Sequence, residues 1–236
     1  MGILTSRDAW VYGYSKEKVA QNTERLVQNY NNELKRLKNI PVNERKDMLN
    51  RKSNHINWSR KLERFAVNDI ELEFHQSHLK LSLYRPFTKK WVYHDKALNE
   101  EARLYYNKFG QNNLVINTTG RGATRDFSPL VVDCIPSNDF MEKGQGFMRY
   151  DNEVDETSLF QNNDNLNQEF DDKLGLNLDD TFSYVYGLLN SKEYQEKYAN
   201  DLKKDLARIP ISQNKERYVE VGKALMDLHL NYEEVP

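Results

Sequence analysis

The sequence predicts an α+β fold, with N-terminal helices, a central mixed and largely antiparallel sheet, and a C-terminal helical subdomain. Apolar residues recur at helical spacing between residues 15 and 41 and again beyond residue 181. Between these stretches, short β-branched or aromatic runs are bounded by Pro, Gly, Asn or Asp, which is typical of strands. The chain has 236 residues and is therefore long enough to bury a substantial core.

The same patterns divide the chain into four consecutive segments. They are an N-terminal helical segment (1–68), a β-rich core (69–150), an acidic loop (151–180) and a C-terminal helical subdomain (181–236). The third segment holds ten Asp or Glu and six Asn against one Lys. Because so few of its residues favour burial, we expect this loop to be mobile.

The longest predicted helix is "SKEKVAQNTERLVQNYNNELKRLKNIP", which Ser15 can cap and which ends before Pro41. "NWSRKLERFAVN" predicts a shorter helix, and "KALNEEARLYYNK" (96–108) predicts one between strands. Near the carboxyl terminus, Ser191 is a candidate cap and Pro210 a candidate stop. Residues expected in the core of the C-terminal subdomain are Tyr184, Leu188, Leu189, Tyr194, Tyr198 and Leu202.

Charge is distributed unevenly along the chain, although the net charge is only −2. Residues 1–128 hold 23 Lys or Arg against 14 Asp or Glu, whereas residues 129–236 hold 11 against 22. Such asymmetry indicates nucleic-acid contact on the basic side, which we expect on residues 80–128. A solvated surface of uneven charge explains the same numbers equally well.

The stretch "NTTGRGATRDFS", residues 117–128, lies between two apolar runs and is suited to an anionic partner. It has neither the lysine and spacing of a phosphate-binding P-loop nor the third glycine of a dinucleotide fingerprint. What remains is a turn that carries Arg121, Thr124 and Arg125. Arginine suits both phosphate binding and bidentate contact with guanine, but a polar hairpin loop is the simpler interpretation.

A second basic stretch is "RPFTKKWVYH", in which Arg85, Lys89 and Lys90 alternate with aromatic residues. Alternation along a strand predicts that the aromatic side chains pack on one buried face. The basic side chains then lie largely on the other face, where they are candidates for contacts with a nucleic-acid backbone.

Other chemistries find little support in the residue pattern. His75 and His78 are spaced for one helix face, but no Cys pair or carboxylate cluster completes a metal site. The single cysteine, Cys134, lies in an apolar run and is expected to be a buried, inert thiol in a reducing cytosol. The sequence has neither a signal peptide nor an apolar run of about 18 residues, so no membrane partner is expected.

Five segments, taken in order, resemble the C-terminal specificity region of the single-polypeptide restriction–modification enzymes called type ISP. The segments are "SRDAWVYGYS", "LYRPFTKKWVYHD", "RDFSPLVVDCIPSNDF", "YVYGLLNSKEYQEKYANDLKKDLARIPI" and "VGKALMDLHLNYE". The resemblance covers nearly the whole chain except for the acidic loop. It implies a target recognition domain for double-stranded DNA, without catalysis of its own.

In the parent enzymes of that family, the recognition domain follows a nuclease, an ATP-driven helicase-like translocase and an adenine N6-methyltransferase. The resemblance therefore implies that S-adenosylmethionine, ATP and Mg²⁺ serve the parent's other domains, and that no cofactor binds this chain. It also implies the methyltransferase and helicase domains as partners. The start "MGILTSRDAW" is expected to mark a cloned fragment or a truncated reading frame.

The candidate DNA-binding residues come from the residue pattern itself, because long polar side chains in loops beside a sheet can reach bases and phosphates. They are Arg85, Lys89, Lys90, Asn117, Arg121, Thr124, Arg125 and Gln145. Arg121, between two glycines, is the candidate for base contact, and Arg125 is expected to pair with Asp126. Two alternatives stay open: a module that docks a methyltransferase domain, and a stand-alone nuclease.

Overall fold

The computed structural model describes residues 2–100, 113–151, 163–164 and 168–234. It combines helices with antiparallel strand pairs, as the predicted α+β class requires. The chain forms two compact units that are interleaved along the sequence. The N unit holds the described residues of 3–82 and 89–102, and the C unit holds those of 1–2, 83–88 and 103–236.

This division differs from the four consecutive segments because the tip of one hairpin belongs to the C unit. Within that unit, Ser137 N donates a hydrogen bond to Leu83 O at 3.0 Å. The ring of Phe87 packs edge-on against that of Tyr232, with centroids 5.2 Å apart. Such long-range contacts cannot be recognised from the local pattern of the sequence.

The helices of the N unit are α1 (Asp8–Val11), α2 (Lys16–Leu37), α3 (Val42–Arg45) and α4 (Arg60–Val67). The predicted cap of α2 is confirmed, since Ser15 Oγ accepts a hydrogen bond from Lys18 N at 3.1 Å. One face of α2 is buried through Val19, Leu26, Val27, Tyr30, Leu34 and Leu37. The 3.6-residue spacing of these apolar side chains is what made the helix predictable.

Arg7, in the first of the five family-like segments, is a structural residue of the N unit. Its side chain has no solvent exposure and lies 3.1 Å from Glu100 Oε1, measured from Nη2. The same guanidinium donates to the carbonyl oxygens of Asn57 and Leu98 and to Ser59 Oγ. Burial lowers the pKa of Arg7, which the Glu100 carboxylate partly offsets. These bonds join three separate stretches of the N unit at one charged group.

Three strands pass through the N unit: β1 (Tyr12–Gly13), β2 (Leu79–Arg85) and β3 (Thr88–Tyr93). β1 pairs antiparallel with β3, so that Tyr12 stands opposite Val92. β2 and β3 form a hairpin whose tip lies in the C unit. The sequence pattern missed α1 and β1 because both are too short to show a periodicity.

The predicted burial of the hairpin aromatics on one face is wrong for two of the three residues. Tyr93 is buried, but Trp91 is half-buried and Phe87 is 47% exposed. Phe87 occupies the turn with a φ of 55°, which takes its side chain out of the strand alternation. Trp91 is instead covered by Lys16, whose Nζ lies 4.8 Å from the ring centroid.

The strands that lie wholly in the C unit are β4 (Val115–Thr118), β5 (Pro129–Val132), β6 (Ile135–Pro136), β7 (Gln145–Met148), β8 (Tyr150–Asp151) and β9 (Asn163–Asp164). β4 is the centre of a three-stranded antiparallel sheet of order β5-β4-β7. All four residues of β4 and all four of β5 are buried. β4 therefore provides a fixed platform for the loops at its ends.

Five helices of the C unit lie in its described range: α5 (Gln168–Leu174), α6 (Leu178–Leu189), α7 (Lys192–Lys197), α8 (Ala199–Leu202) and α9 (Lys215–Leu230). Ser191 caps α7 as predicted, because its Oγ accepts from Tyr194 N. Most residues of the predicted core are buried, namely Tyr184, Leu188, Leu189, Tyr194 and Leu202. Tyr198 is only partly buried against this cluster.

The predicted acidic loop is wrong where α5 and α6 are described. Leu174 is fully buried, and Asn177 caps α6 by accepting from Asp180 N at 2.9 Å. A few apolar side chains in register with the core are enough to fold an acidic stretch. The rest of that prediction, at 152–162 and 165–167, lies outside the described residues. The predicted helix at 96–108 is wrong over 96–100, which form a turn, and its remainder lies outside the described residues.

Candidate nucleic-acid interface

Two connections of the C unit meet at one end of its three-stranded sheet. Thr118, the last residue of β4, pairs with Pro129 of β5 and with Gln145 of β7. Because both neighbours run antiparallel to β4, the β4–β5 loop (119–128) and the end of the β6–β7 connection (137–144) leave the sheet side by side.

The β4–β5 loop is closed by its own backbone. Thr119 N donates to Ser128 O at 3.1 Å, and Thr119 Oγ1 accepts from Ser128 N at 3.1 Å. Within this closure, Ala123 N donates to Gly120 O at 3.3 Å, which makes a tight turn. Gly122 has a φ of 69°, a conformation that the third position of such a turn requires and that glycine adopts without strain.

The β6–β7 connection packs directly against this turn. A Cβ on Gly120 would lie 1.7 Å from Lys143 O, so only glycine fits there. Gly120 N donates to Glu142 O at 3.0 Å, and Lys143 Nζ donates to Gly122 O at 2.6 Å. The carbonyl oxygen of Lys203, at the end of α8, accepts from Gly122 N at 2.9 Å.

The carboxylate of Glu142 is the anion that the loop backbone holds. Its Oε1 accepts from Thr124 N at 2.9 Å, and its Oε2 accepts from Arg125 N at 3.1 Å. Thr124 Oγ1 lies 3.1 Å from both oxygens. These hydrogen bonds lower the pKa of Glu142, and the bond from Thr124 N makes the largest contribution. The anion for which the loop backbone is suited is therefore, in part, the Glu142 carboxylate of the same chain.

The arginine side chains of the loop remain available. Arg121 and Arg125 are both exposed. Across the described ranges, neither guanidinium has a hydrogen bond, ion pair or ring contact. The expected ion pair between Arg125 and Asp126 is absent there. At these two residues the loop uses backbone groups, since the Asp126 carbonyl oxygen accepts from Thr119 Oγ1 and Arg125 N donates to Glu142. Among the described residues, the loop thus has a backbone held by hydrogen bonds and two cationic side chains without a partner.

Of the other predicted residues in the C unit, Gln145 and Arg85 lie close to the same two connections. Gln145 begins β7, is half-buried and stands opposite Thr118. Arg85 is exposed, stacks on the Tyr84 ring at 4.4 Å and approaches Ser137 Oγ at 3.4 Å. Ser137 begins the β6–β7 connection, and Glu142 of the same connection contacts the loop. These two residues are five positions apart, so the distance between them is at most about 18 Å.

Asn117 differs from the other candidates because it lies inside the sheet. It is 4% exposed and stands between Leu130 and Gly146 of the neighbouring strands. Its side chain donates to Val115 O at 3.4 Å. The structure therefore groups Arg121, Thr124 and Arg125 on the loop and Gln145 beside it, while Asn117 supports the sheet.

Lys89 and Lys90 belong to the N unit, where both are half-buried on β3. Lys90 Nζ lies 5.0 Å from the centroid of the Tyr14 ring, which is itself 75% exposed. A cation over an exposed aromatic ring keeps one side accessible to an anionic partner. These lysines remain candidates for backbone contacts within their own unit.

Three residues of this site were missed from the sequence: Glu142, Lys143 and Lys203. They lie 17 or more positions from the nearest loop arginine, and their neighbours "MEKGQG" and "LKKD" resemble ordinary surface segments. The one usable signal was "KGQG", since closely spaced glycines indicate close backbone approach.

No group of three or more His, Cys, Asp or Glu side chains in the described residues could hold a metal ion. Cys134, the single cysteine of the chain, is buried and forms no disulfide within it. Over the same described ranges, every helix falls short of the length and apolar character that a membrane span requires.

An α+β scaffold whose polar loop presents two exposed arginine side chains is suited to binding an anionic partner. The whole chain, residues 1–236, matches the family model of the Type ISP C-terminal specificity domain, and it belongs to that family. The resemblance drawn from the five segments is therefore confirmed. A specificity domain is the recognition module of a restriction–modification enzyme. None of the curated proteins matches the chain.

Three solved structures are similar to the chain over its full length. A nuclease-deletion mutant of the Type ISP restriction–modification enzyme LlaGI, in complex with a DNA substrate mimic, is 39% identical with a TM-score of 0.87. The DrdV–DNA complex is 28% identical with a TM-score of 0.88. The ATP-dependent Type ISP enzyme LlaBIII, bound to DNA, is 30% identical with a TM-score of 0.85. The chain covers 22%, 23% and 16% of these proteins, respectively, less than a quarter of each.

Proposed function

We propose that this chain recognises a target sequence in double-stranded DNA as the specificity domain of a type ISP restriction–modification enzyme, and that the β4–β5 loop contacts the bases. The observation that carries the proposal is the state of Arg121 and Arg125. Both are exposed and unpaired across the described ranges, on a loop whose backbone is bonded to Glu142, Lys143 and Lys203. The similar structures in complex with DNA support the same partner.

Arginine is suited to this role because its planar guanidinium donates two parallel hydrogen bonds to O6 and N7 of guanine in the major groove. A rigid loop lowers the entropy lost when the side chain binds, so more of the interaction free energy appears as affinity. Arg121 lies at the tip of the turn, between Gly120, whose missing side chain lets the turn pack on the Lys143 backbone, and Gly122, which has a positive φ. It is the candidate for base contact.

The remaining basic residues are assigned to the DNA backbone, where contacts fix the orientation without reading sequence. Arg125 follows the turn on the same loop. Arg85 contacts Ser137, which lies within about 18 Å of Glu142 along the chain, less than one turn of duplex DNA at about 34 Å. Arg85 and the loop can therefore reach the same helical turn. Lys89 and Lys90 would add backbone contacts from the N unit.

The proposal also names the partners within a larger protein. Because the chain spans less than a quarter of its similar structures, nuclease, translocase and methyltransferase activities are assigned to other domains of a parent chain. S-adenosylmethionine, ATP and Mg²⁺ would serve those domains. A cytoplasmic location follows from this role and fits a chain whose single cysteine, Cys134, is buried and forms no disulfide within it.

The test is a selection from a library of randomised duplexes bound by the protein, followed by measurement of Kd on the enriched duplex and on a scrambled duplex. We expect one preferred sequence and an affinity that falls steeply between about 50 and 200 mM salt, because phosphate contacts release counterions. Binding without any sequence preference would contradict target recognition. Absence of duplex binding would instead favour a module that only docks a methyltransferase domain.

A further inference from the structure

Glu142 lies at the centre of the candidate interface, yet its charge is opposite to that of a DNA-binding residue. It is on the β6–β7 connection and is oriented toward the loop, where it accepts from Thr124 N, Thr124 Oγ1 and Arg125 N at 2.9–3.1 Å. Both carboxylate oxygens are used. The residue that follows it, Lys143, donates to Gly122 O at 2.6 Å.

These bonds fix the part of the loop that carries its second arginine. Glu142 holds the backbone at Thr124 and Arg125, and Gly120 N is bonded to the Glu142 carbonyl oxygen at 3.0 Å. One residue therefore contacts the backbone on both sides of the turn that presents Arg121. The directions of both arginine side chains follow from a backbone that Glu142 fixes.

A carboxylate is chemically suited to this task, and its amide is not. The two backbone donors point at two different oxygens, and both oxygens of a carboxylate accept hydrogen bonds. In a glutamine, one of these positions becomes an NH₂ group, which is a donor and faces another donor. A charged acceptor also makes the stronger bond to a backbone N–H. Glu142→Gln thus changes few atoms but loses one of the two backbone hydrogen bonds that the carboxylate accepts.

We propose that Glu142 is a positioning residue for DNA target recognition: it orients Arg121 and Arg125 by holding the loop backbone and does not itself contact the DNA. This inference rests on the proposed function. It assigns sequence discrimination partly to a residue outside the loop. It also explains why an acidic side chain lies among Arg121, Arg125 and Lys143.

The experiment compares Glu142→Gln with Glu220→Gln, which makes the same change of charge at an exposed position of α9. Three quantities are measured on each protein: the ratio of Kd on scrambled and selected duplexes, the salt slope of binding to scrambled duplex, and amide hydrogen exchange at Thr124 and Arg125 without DNA. Thermal unfolding shows whether each variant is folded.

We expect Glu142→Gln to exchange faster at both amides and to lose about tenfold in the Kd ratio, within the range that one base contact contributes. Its salt slope should be lower than that of Glu220→Gln by up to about one unit, because the phosphate contact of Arg125 is weakened when Glu142 no longer holds the Arg125 backbone. Glu142→Asp keeps both acceptor oxygens on a shorter side chain. Its Kd ratio and amide exchange should therefore lie between those of Glu142→Gln and Glu220→Gln.

Two results would overturn the inference while leaving the proposed function intact. One is an unchanged Kd ratio in Glu142→Gln, whether or not the amides exchange faster. The other is a switch of the preferred base, because a carboxylate that itself accepts from cytosine N4 would be a contact residue. If the wild-type protein shows no preference at all, the proposed function fails first and the positioning role fails with it.

Discussion

Gly187 of α6 and Gly222 of α9 stand at a point where the two helices touch through their backbones. A Cβ on Gly222 would lie 1.9 Å from Ser183 O and 3.1 Å from Gly187 N, and one on Gly187 would lie 2.2 Å from Tyr218 O. Neither helix has room for even one methyl group. This contact joins α6 and α9 within the C unit, whose buried core includes Phe182 and Leu188.

Gly222→Ala should therefore destabilise the protein by about 1–3 kcal/mol or more, as inserted atoms do in a packed core. The sign of this change in stability is informative, because alanine has a higher intrinsic helix propensity than glycine by about 1 kcal/mol and would otherwise stabilise α9. Urea unfolding of Gly222→Ala against wild type measures the difference. Glu220→Ala, on the exposed face of the same helix, should be nearly neutral. A stabilised Gly222→Ala protein would contradict the close approach of the two helices.

The two loop arginines should differ in what their removal changes. Arg121→Ala should reduce discrimination against the wrong base by about 1–3 kcal/mol, because a bidentate contact with guanine is lost. Arg125→Ala should weaken binding to all sequences alike and lower the salt slope by about one unit. Both are measured as Kd on selected and scrambled duplexes over a salt series. If Arg121→Ala preserves both the preference and the slope, the loop does not contact the bases.

His94 should make stability depend on pH. Burial lowers its pKa from 6.5 to about 4, and the nearby His78 and Lys80 act in the same direction against Asp95. Above pH 6.5 the ring is neutral in both the folded and the unfolded state. As the pH falls toward 4, the unfolded state binds a proton that the folded state does not, so stability falls. A shift of this size amounts to about 3 kcal/mol.

The measurement is the free energy of unfolding in urea at a series of pH values. His94→Gln, which cannot bind the proton, should lose less stability than wild type between pH 6.5 and 4. His75→Gln, the same substitution at an exposed histidine, is the matched control. Parallel curves for wild type and His94→Gln would show that His94 does not carry this dependence.

Tyr198 should contribute to stability through its ring. It packs partly buried against the C-unit core, and its ring centroid lies 5.0 Å from that of Tyr194. Tyr198→Ala should cost about 2–4 kcal/mol, because a large side chain leaves a packed site. Tyr198→Phe keeps the ring and should cost far less. Thermal unfolding measures both, and an unchanged melting temperature for Tyr198→Ala would refute the packing role.

The sequence predicted most of the elements with a clear periodicity. α2 and its cap Ser15, β4, β5 and the buried tyrosines of α6 and α7 follow directly from apolar spacing and capping residues. It also placed two arginines on a glycine-containing loop between two strands. These features depend on residues close together in the chain, where spacing and side-chain type are sufficient.

Only the tertiary structure decided which distant residues meet. Glu142 is 18 positions from Thr124, and Lys203 is 81 positions from Gly122, yet both bond to the same loop. Asn117 has the polarity of a contact residue, but its place in the middle strand of the β5-β4-β7 sheet buries it. Periodicity predicts which face of an element is buried, but not which elements become neighbours. The fixed backbone of the loop, with its two exposed arginines, arises from those long-range contacts.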